Sequence, residues 1–290
     1  MDAKGLFVAI IVGILSVEIS RFLVNKKLTI KLPDSVPPAI SKSFEILIPV
    51  AVISIVFQII NVIIQKNMLV MLPDLIMVIF QPLLNLSDGL VSIIIILFLI
   101  HILWFCGLHG ANIINPVVMV ISMTNLAINQ QALANGEAIP KILAGEFMNN
   151  FVYFGGSGST LGFCIALLMV KNAHLKSIGK LAIIPGCFNI NEPIMFGVPI
   201  VMNPIFAIPF ILTPIINAII SYTFMKLNIV GKVVALTPWT TPPALGGFMA
   251  SNLNFAAPIL VICLIILDYI IYKPFLNMYI KELEKEETKS

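Results

Sequence analysis

Apolar residues occur along this chain in long blocks, not in the alternating or three-in-seven patterns of a soluble fold. Residues 5–23 and 46–64 are almost wholly apolar, the second interrupted only by Pro49, Ser54, Gln58 and Asn61. Residues 90–107 form a third block, opened by Asp88 and Gly89. A helix crossing a bilayer takes about 20 apolar residues, so each block predicts a span. Glu18 and Arg21 are three apart, which places them on one helix face as a pair. Between the first two blocks Pro33, Pro37 and Pro38 break any helix before residue 39, and 39–45 leads into the second span. Residues 69–86 are apolar but carry Pro73, Asp74, Gln81 and Pro82, which predicts an amphipathic segment lying at the interface.

After residue 107 the pattern changes. The chain stays apolar to about residue 256, yet Gly, Pro and Asn interrupt it repeatedly, as in HGANIINP, MNNFVYFGGSGST, CFNINEPIMFGVP and TPWTTPPALGG. Irregular backbone at membrane depth is tolerated only where protein buries it or where it lines a polar cavity. Broken helices of this kind build binding sites near the bilayer midplane. Full spans are expected at 163–170 with its upstream neighbours, at 205–224 and at 256–272. The expected fold is therefore all-α: a polytopic membrane protein with broken helices and re-entrant hairpins. Three sections are expected: N-terminal spans and interfacial segments over 1–88, a transport domain over 89–273 and a charged tail over 274–290.

Composition agrees with the pattern. Of 290 residues 59% are hydrophobic and 11% charged, against about 25% charged in soluble domains. Mean hydropathy is +1.04. These values exclude a soluble globular enzyme, a disordered chain and a nucleic-acid binder, and the length allows roughly six to eight spans. The net charge of +3 says little, but its placement says more. Lys26, Lys27 and Lys31 follow the first block, Lys171, Lys176 and Lys180 occupy the middle polar gap, and the chain from Lys273 is densely charged. The positive-inside rule makes these segments, and the C-terminus, cytoplasmic. Met1-Asp2-Ala3-Lys4 leads straight into the first block with no small-residue cleavage site, so no cleavable signal is expected. Cys106, Cys164, Cys187 and Cys263 are scattered through apolar runs, which predicts buried packing rather than disulfides or a metal site. No cofactor is expected.

Four motifs bear on chemistry. Asn189-Ile190-Asn191-Glu192-Pro193 places an ionisable residue in an apolar region, a functional position by default. A carboxylate beside two amides suits sugar hydroxyls, because hydrogen bonds to charged groups are strong and directional. The bland alternative is a Glu192 paired with backbone amides or a lysine. His109, between Gly107 and Gly110, either orients or deprotonates a hydroxyl or is a simple helix-end residue. Residues 155–160, GGSGST, fail the Walker and G-x-G-x-x-G patterns and predict a hairpin tip with exposed amides near substrate or an incoming phosphoryl group. Trp239, in the broken segment TPWTTPP, offers a face for a pyranose or belongs to an interfacial belt. His101, His174 and Trp104 read as ordinary packing or surface residues.

Taken together, AKGLFVAIIVGILSVEI, LPDSVPPAIS, WFCGLHGANIINP, NINEPIMFGVPIVMNPIFAIPF and PWTTPPALGGF resemble the membrane-embedded IIC component of the phosphoenolpyruvate-dependent sugar phosphotransferase system, lactose/cellobiose branch. The resemblance runs from Lys4 to Lys273. It implies binding and translocation of a β-linked disaccharide of cellobiose, lactose or chitobiose type across the bacterial plasma membrane. It also implies phosphorylation, typically on the 6-hydroxyl, from a phosphocysteine of a separate IIB protein, itself supplied through IIA, HPr and enzyme I. The family's sugar-site Glu falls on Glu192, its histidine on His109 as the catalytic candidate, and its tryptophan on Trp239. Asn112, Asn189 and Asn191 would also line the sugar site. The family form is expected to be a homodimer with further spans upstream of Lys4, so a truncated, split or remnant product is one expectation for this chain. A proton-coupled or facilitative carrier, with Glu192 and His109 as a relay, is the alternative of another class.

Overall fold

In a computed structural model the structure describes residues 3–33, 36, 38–68 and 88–287. Among these, all regular structure is helical. The chain divides into two units, 1–83 and 84–290.

In the first unit α1 (Ala3–Asn25) packs beside α3 (Leu47–Met68), with α2 (Pro38–Glu45) entering α3 through a turn. The two apolar blocks thus form helices as expected. Glu18 and Arg21 pair at 3.5 Å across one turn of α1. Ile14, Val17, Phe22, Ile55 and Ile59 are exposed within the unit. Such a surface suits lipid, where a helix satisfies its own backbone and apolar side chains face outward. The expected interfacial segment at 69–86 lies outside the described residues.

The second unit holds the packed core. It comprises α4 (Leu90–Phe105), α5 (Gly110–Ala134), α6 (Phe147–Phe151), α7 (Leu161–Leu168), α8 (Ala173–Cys187), α9 (Glu192–Gly197), α10 (Pro204–Lys226), α11 (Pro243–Ala250) and α12 (Ala256–Glu287). Among the described residues four stretches are long and apolar enough to cross a membrane: Ile40–Lys66, Gly110–Ala134, Pro204–Lys226 and Ala256–Lys285. The expectations at 205–224 and 256–272 correspond to α10 and α12. Helix α12 runs on to Glu287 with Pro274 inside it, so the expected boundary at 273/274 falls within a helix.

Two expectations are corrected. Residues 163–170 do not belong to a span, since α7 ends at Leu168 after eight residues. At 1.5 Å per residue that is about 12 Å, well short of the roughly 30 Å hydrocarbon layer. Its residues are apolar because protein surrounds them: Phe163 is fully buried, stacked on Tyr272 at 4.9 Å and against Phe206 at 5.1 Å. Conversely HGANIINP, read as broken chain, opens the 25-residue helix α5. Gly110 lets α5 start against α4, because a Cβ there would lie 1.9 Å from the carbonyl oxygen of Ile100. The cysteines are also mixed. Only Cys164 is buried; Cys106, in the turn after α4, and Cys263, on α12, are exposed.

The turn between α6 and α7 is held from three sides. Gly155, Gly156 and Gly158 have φ of +80°, +90° and +83°, a region that glycine enters without steric cost. Ser159 Oγ donates to Asp268 Oδ2 of α12 at 2.6 Å and accepts from Asn217 Nδ2 of α10 at 3.0 Å. Tyr272 Oη donates to the carbonyl of Gly158 at 2.6 Å. From α4, His101 Nε2 accepts the Gly158 N–H at 2.9 Å. The hairpin tip is therefore buried, with the amides of Gly155, Gly156, Gly158 and Ser159 hydrogen-bonded, which corrects the expectation of exposed amides at these four positions. The lone histidine of α4 is a structural acceptor rather than filler.

Candidate functional site

The helix ends of the second unit converge on a cavity of about 470 Å³. Its wall is built from the α4–α5 turn, the start of α6, the glycine hairpin, the α8–α9 turn and the loop before α11. All six residues singled out from the sequence line it: His109, Asn112, Asn189, Asn191, Glu192 and Trp239. They come from three separate stretches of chain.

His109 is placed by helix capping. Gly107, at φ +84°, turns the chain out of α4, and His109 becomes the N-cap of α5. Its Nδ1 accepts the backbone N–H of Asn112 at 3.2 Å, satisfying one of the free donors of the first turn. A neutral imidazole that accepts at Nδ1 carries its proton on Nε2. His109 therefore offers the cavity a donor. To take a proton it must first exchange this cap bond. Further along α5, Pro116 has no N–H for the carbonyl of Asn112, so the helix is locally unpaired where Asn112 meets the cavity.

Asn189, at φ +63°, and Asn191 flank the turn before α9. Asn189 Oδ1 accepts the Gly155 N–H at 3.1 Å, and its Nδ2 donates to the Trp239 carbonyl at 2.8 Å. Asn191 Nδ2 donates to the Ser157 carbonyl at 2.8 Å. These two buried amides pin the glycine hairpin, the α9 entry and the TPWTTPP loop to one another. Glu192 is the first residue of α9 and is exposed at the cavity. None of the hydrogen bonds among the described residues uses its carboxylate. Trp239 is 53% exposed and lines the cavity.

Three lining residues were not read as functional. Trp104, expected to be a belt or packing residue, lines the cavity with its ring centroid 4.2 Å from that of His109. The sequence signal was present, since Trp104 opens the same WFCGLHGANIINP motif. Glu146 and Tyr153 flank α6 and line the cavity as well. Glu146 lies outside the spanning helices. Burial raises its carboxyl above the usual carboxylate range, and a hydrogen bond from Asn149 opposes that shift. Among the described residues no group of three His, Cys, Asp or Glu side chains is placed to hold a metal ion.

Known proteins share this fold. The family description "Phosphotransferase system, EIIC" matches residues 1–214. The chain is 40% identical over 292 residues to the oligo-beta-mannoside-specific EIIC component of Bacillus subtilis, covering 99% of this chain and 66% of that protein. It is 37% identical to the lichenan permease IIC component of the same organism, with 99% and 64% covered. It is 36% identical to the lactose-specific EIICB component of Staphylococcus aureus, with 99% and 50% covered. The crystal structure of ChbC, the IIC component of the N,N′-diacetylchitobiose-specific phosphotransferase system, superposes with a TM-score of 0.89 at 39% identity, covering 99% of this chain and 67% of that one. The chain thus spans about half to two thirds of the length of these relatives, and it belongs to the membrane-embedded EIIC family of the phosphotransferase system.

Proposed function

We propose that this chain carries the sugar site of a IIC permease, binds a β-linked disaccharide in the cavity and holds it for phosphorylation by a separate IIB protein. The observation that carries the reading is the convergence of Glu192, His109, Asn112 and Trp239 on one polar cavity within an apolar bundle. The chemistry of the wall suits a sugar. Glu192 accepts two hydroxyls, His109 Nε2–H donates to a third group, and Trp239 stacks on the apolar face of a pyranose. The relatives named for lichenan, oligo-β-mannosides, lactose and N,N′-diacetylchitobiose support a β-linked substrate.

The phosphoryl donor comes from another chain, and the lactose-specific relative, whose name joins IIC and IIB, supports a IIB partner. Phosphoryl transfer requires positioning and charge stabilisation more than covalent help. The part of this chain is to hold the acceptor hydroxyl in line. The lysine-bearing segments at 26–31 and 171–180, the latter running into the first turns of α8, and the C-terminus face the cytoplasm where IIB docks. A homodimer is the assembly we propose for the full-length family form.

Equilibrium binding of neutral β-linked disaccharides to the purified chain tests the reading. Glu192→Gln keeps shape but removes charge. It is expected to weaken binding by about 1.5–3 kcal/mol, the worth of a hydrogen bond to a charged group. Unchanged affinity removes Glu192 from the site.

A further inference from the structure

Helix α8 packs on protein along one side. Leu175, Ile178, Gly179, Ala182 and Gly186 are buried there. Gly179 lets α8 lie close on α7, since a Cβ at that position would come within 2.8 Å of the Leu167 side chain. The opposite side is open. Lys176, Lys180, Ile184 and Phe188 recur at every fourth position, which stacks them on one face, and all four are exposed. Leu181 borders the same face, and it and Ile184 are 71% and 69% exposed.

Along its axis this face changes character once. The lysines come first, with Lys171 just before the helix and Lys176 and Lys180 in its first turns. Leu181, Ile184 and Phe188 follow. From Lys176 to Phe188 the helix rises about 18 Å, close to the roughly 15 Å of hydrocarbon in one leaflet. Between Phe147 and Asn191 the only charged side chains are Lys171, Lys176 and Lys180. None of the three is in an ion pair among the described residues. Three cations therefore stand at the polar end of an apolar face, with no carboxylate on the segment to neutralise them.

We propose that this face of α8 binds an anionic phospholipid, its phosphate held by Lys176 and Lys180 and its acyl chains lying along Leu181, Ile184 and Phe188. A phospholipid joins its negative charge directly to apolar chains, in the order in which the face joins lysines to apolar side chains. Lysine stems lie along apolar surface while their ammonium groups reach headgroup level, and basic clusters at a membrane surface attract anionic lipids. A free phosphate ion or a soluble acidic partner accounts for the lysines but leaves Leu181, Ile184 and Phe188 unused. A lipid held here steadies the helix that leads into the Asn189–Glu192 turn of the cavity.

The purified full chain, in neutral detergent, is titrated with phosphatidylglycerol and with phosphatidylcholine of the same acyl chains. Bound lipid is counted by native mass spectrometry, beside the melting temperature. Phosphatidylglycerol is expected to bind about tenfold or more tightly, as two lysines at a membrane surface allow, and to raise the melting temperature more. Lys176→Gln with Lys180→Gln should remove that preference, and Lys176→Arg with Lys180→Arg should keep it. Leu181→Ser with Ile184→Ser should weaken both lipids. All four positions are exposed, so each variant should melt like the parent when no lipid is added.

A phosphatidylglycerol preference that survives the two glutamines would overturn the site. An equal loss from Lys26→Gln with Lys27→Gln would also overturn it, by showing diffuse attraction to any basic surface. Equal stabilisation by inorganic phosphate would reduce the face to an ion site without lipid. If the glutamine pair keeps the lipid preference yet lowers sugar phosphorylation by phosphorylated IIB, the face docks an acidic protein surface instead.

Discussion

Gly158 donates its amide hydrogen to His101 Nε2 at 2.9 Å across 57 positions of sequence. The other ring nitrogen, Nδ1, lies 2.6 Å from the carbonyl oxygen of Leu97. Since Nε2 accepts, Nδ1 carries the proton and donates to Leu97. The ring is thus a neutral connector between a turn of α4 and the tip of the glycine hairpin.

Two substitutions test this connector. His101→Phe keeps an aromatic ring but leaves the buried Gly158 N–H unpaired, at a cost of about 1–3 kcal/mol. Gly158→Ala is expected to be worse. Its Cβ would lie 2.2 Å from the Phe210 ring, and φ at the site is +83°. Left-handed strain of about 1–3 kcal/mol then adds to overpacking of similar size. Thermal unfolding in detergent reads both. A His101→Phe chain that melts like the parent would show that the bond contributes nothing to stability.

The carboxylate of Asp268 makes a related prediction. It accepts from Ser159 at 2.6 Å, and Gly162 of α7 meets the same stretch of α12 so closely that a Cβ would lie 2.4 Å from the Tyr269 nitrogen. Asp268→Ala strips the Ser159 hydroxyl of its acceptor and opens a void. It should cost about 3 kcal/mol or more, as breaking a buried polar network does. Asp268→Asn keeps an acceptor for Ser159 and should cost less. Sugar affinity should fall along with stability, because the hairpin it anchors supplies Gly156 and Ser157 to the cavity wall. Equal melting temperatures for the two variants would contradict the anchoring role.

The sequence announced some of this and hid the rest for identifiable reasons. Long apolar blocks forecast the helices α1, α3, α4, α10 and α12, since length and uniform hydropathy suffice to mark a helix; α4, however, is 16 residues long and falls short of the span expected over 90–107. Helix α5 was obscured by Gly110, Asn112, Asn115 and Pro116 at its start, although a proline in the second turn costs the helix only one carbonyl partner. Helix α7 was over-read because a segment buried on all sides by protein is as apolar as one facing lipid. Glu192 and His109 stood out as polar residues in apolar surroundings. Trp104, Glu146 and Tyr153 did not, because their role depends on the convergence of distant segments. Equally, the use of Asn189 and Asn191 as ties between loops is a property of the assembled turn that spacing does not reveal.

Orientation is tested at the start of α8. Lys176 is exposed on the first turn of α8 and belongs to the lysine-rich segment assigned to the cytoplasm. Lys176→Cys, in a background with the exposed Cys106 and Cys263 replaced by serine, should resist an impermeant thiol reagent in intact cells and react after permeabilisation. Labelling from outside would reverse the membrane orientation and move the proposed donor side to the other face.

The last prediction concerns His109. Its Nδ1 is engaged with the Asn112 N–H at 3.2 Å, so the neutral ring presents a donor to the cavity. A donor positions a sugar oxygen, whereas a general base, worth typically 10²-fold or more, requires a free acceptor nitrogen. The two roles separate by substitution. His109→Ala removes both, and should lower sugar phosphorylation more than sugar binding. His109→Gln keeps an N–H donor without a titratable nitrogen. If orientation is the role, His109→Gln restores much of the rate that His109→Ala loses, and the rate follows pH as the parent does. If His109 is the base, Gln rescues nothing. Glu192→Gln, by contrast, should depress binding and phosphorylation together, since its hydrogen bonds exist before transfer begins. The assay is sugar-phosphate formation in vesicles supplied with phosphorylated IIB, beside equilibrium binding of the same sugar. The cap geometry predicts rescue by Gln. A His109→Ala chain that phosphorylates at the parental rate would return His109 to the single task of starting α5.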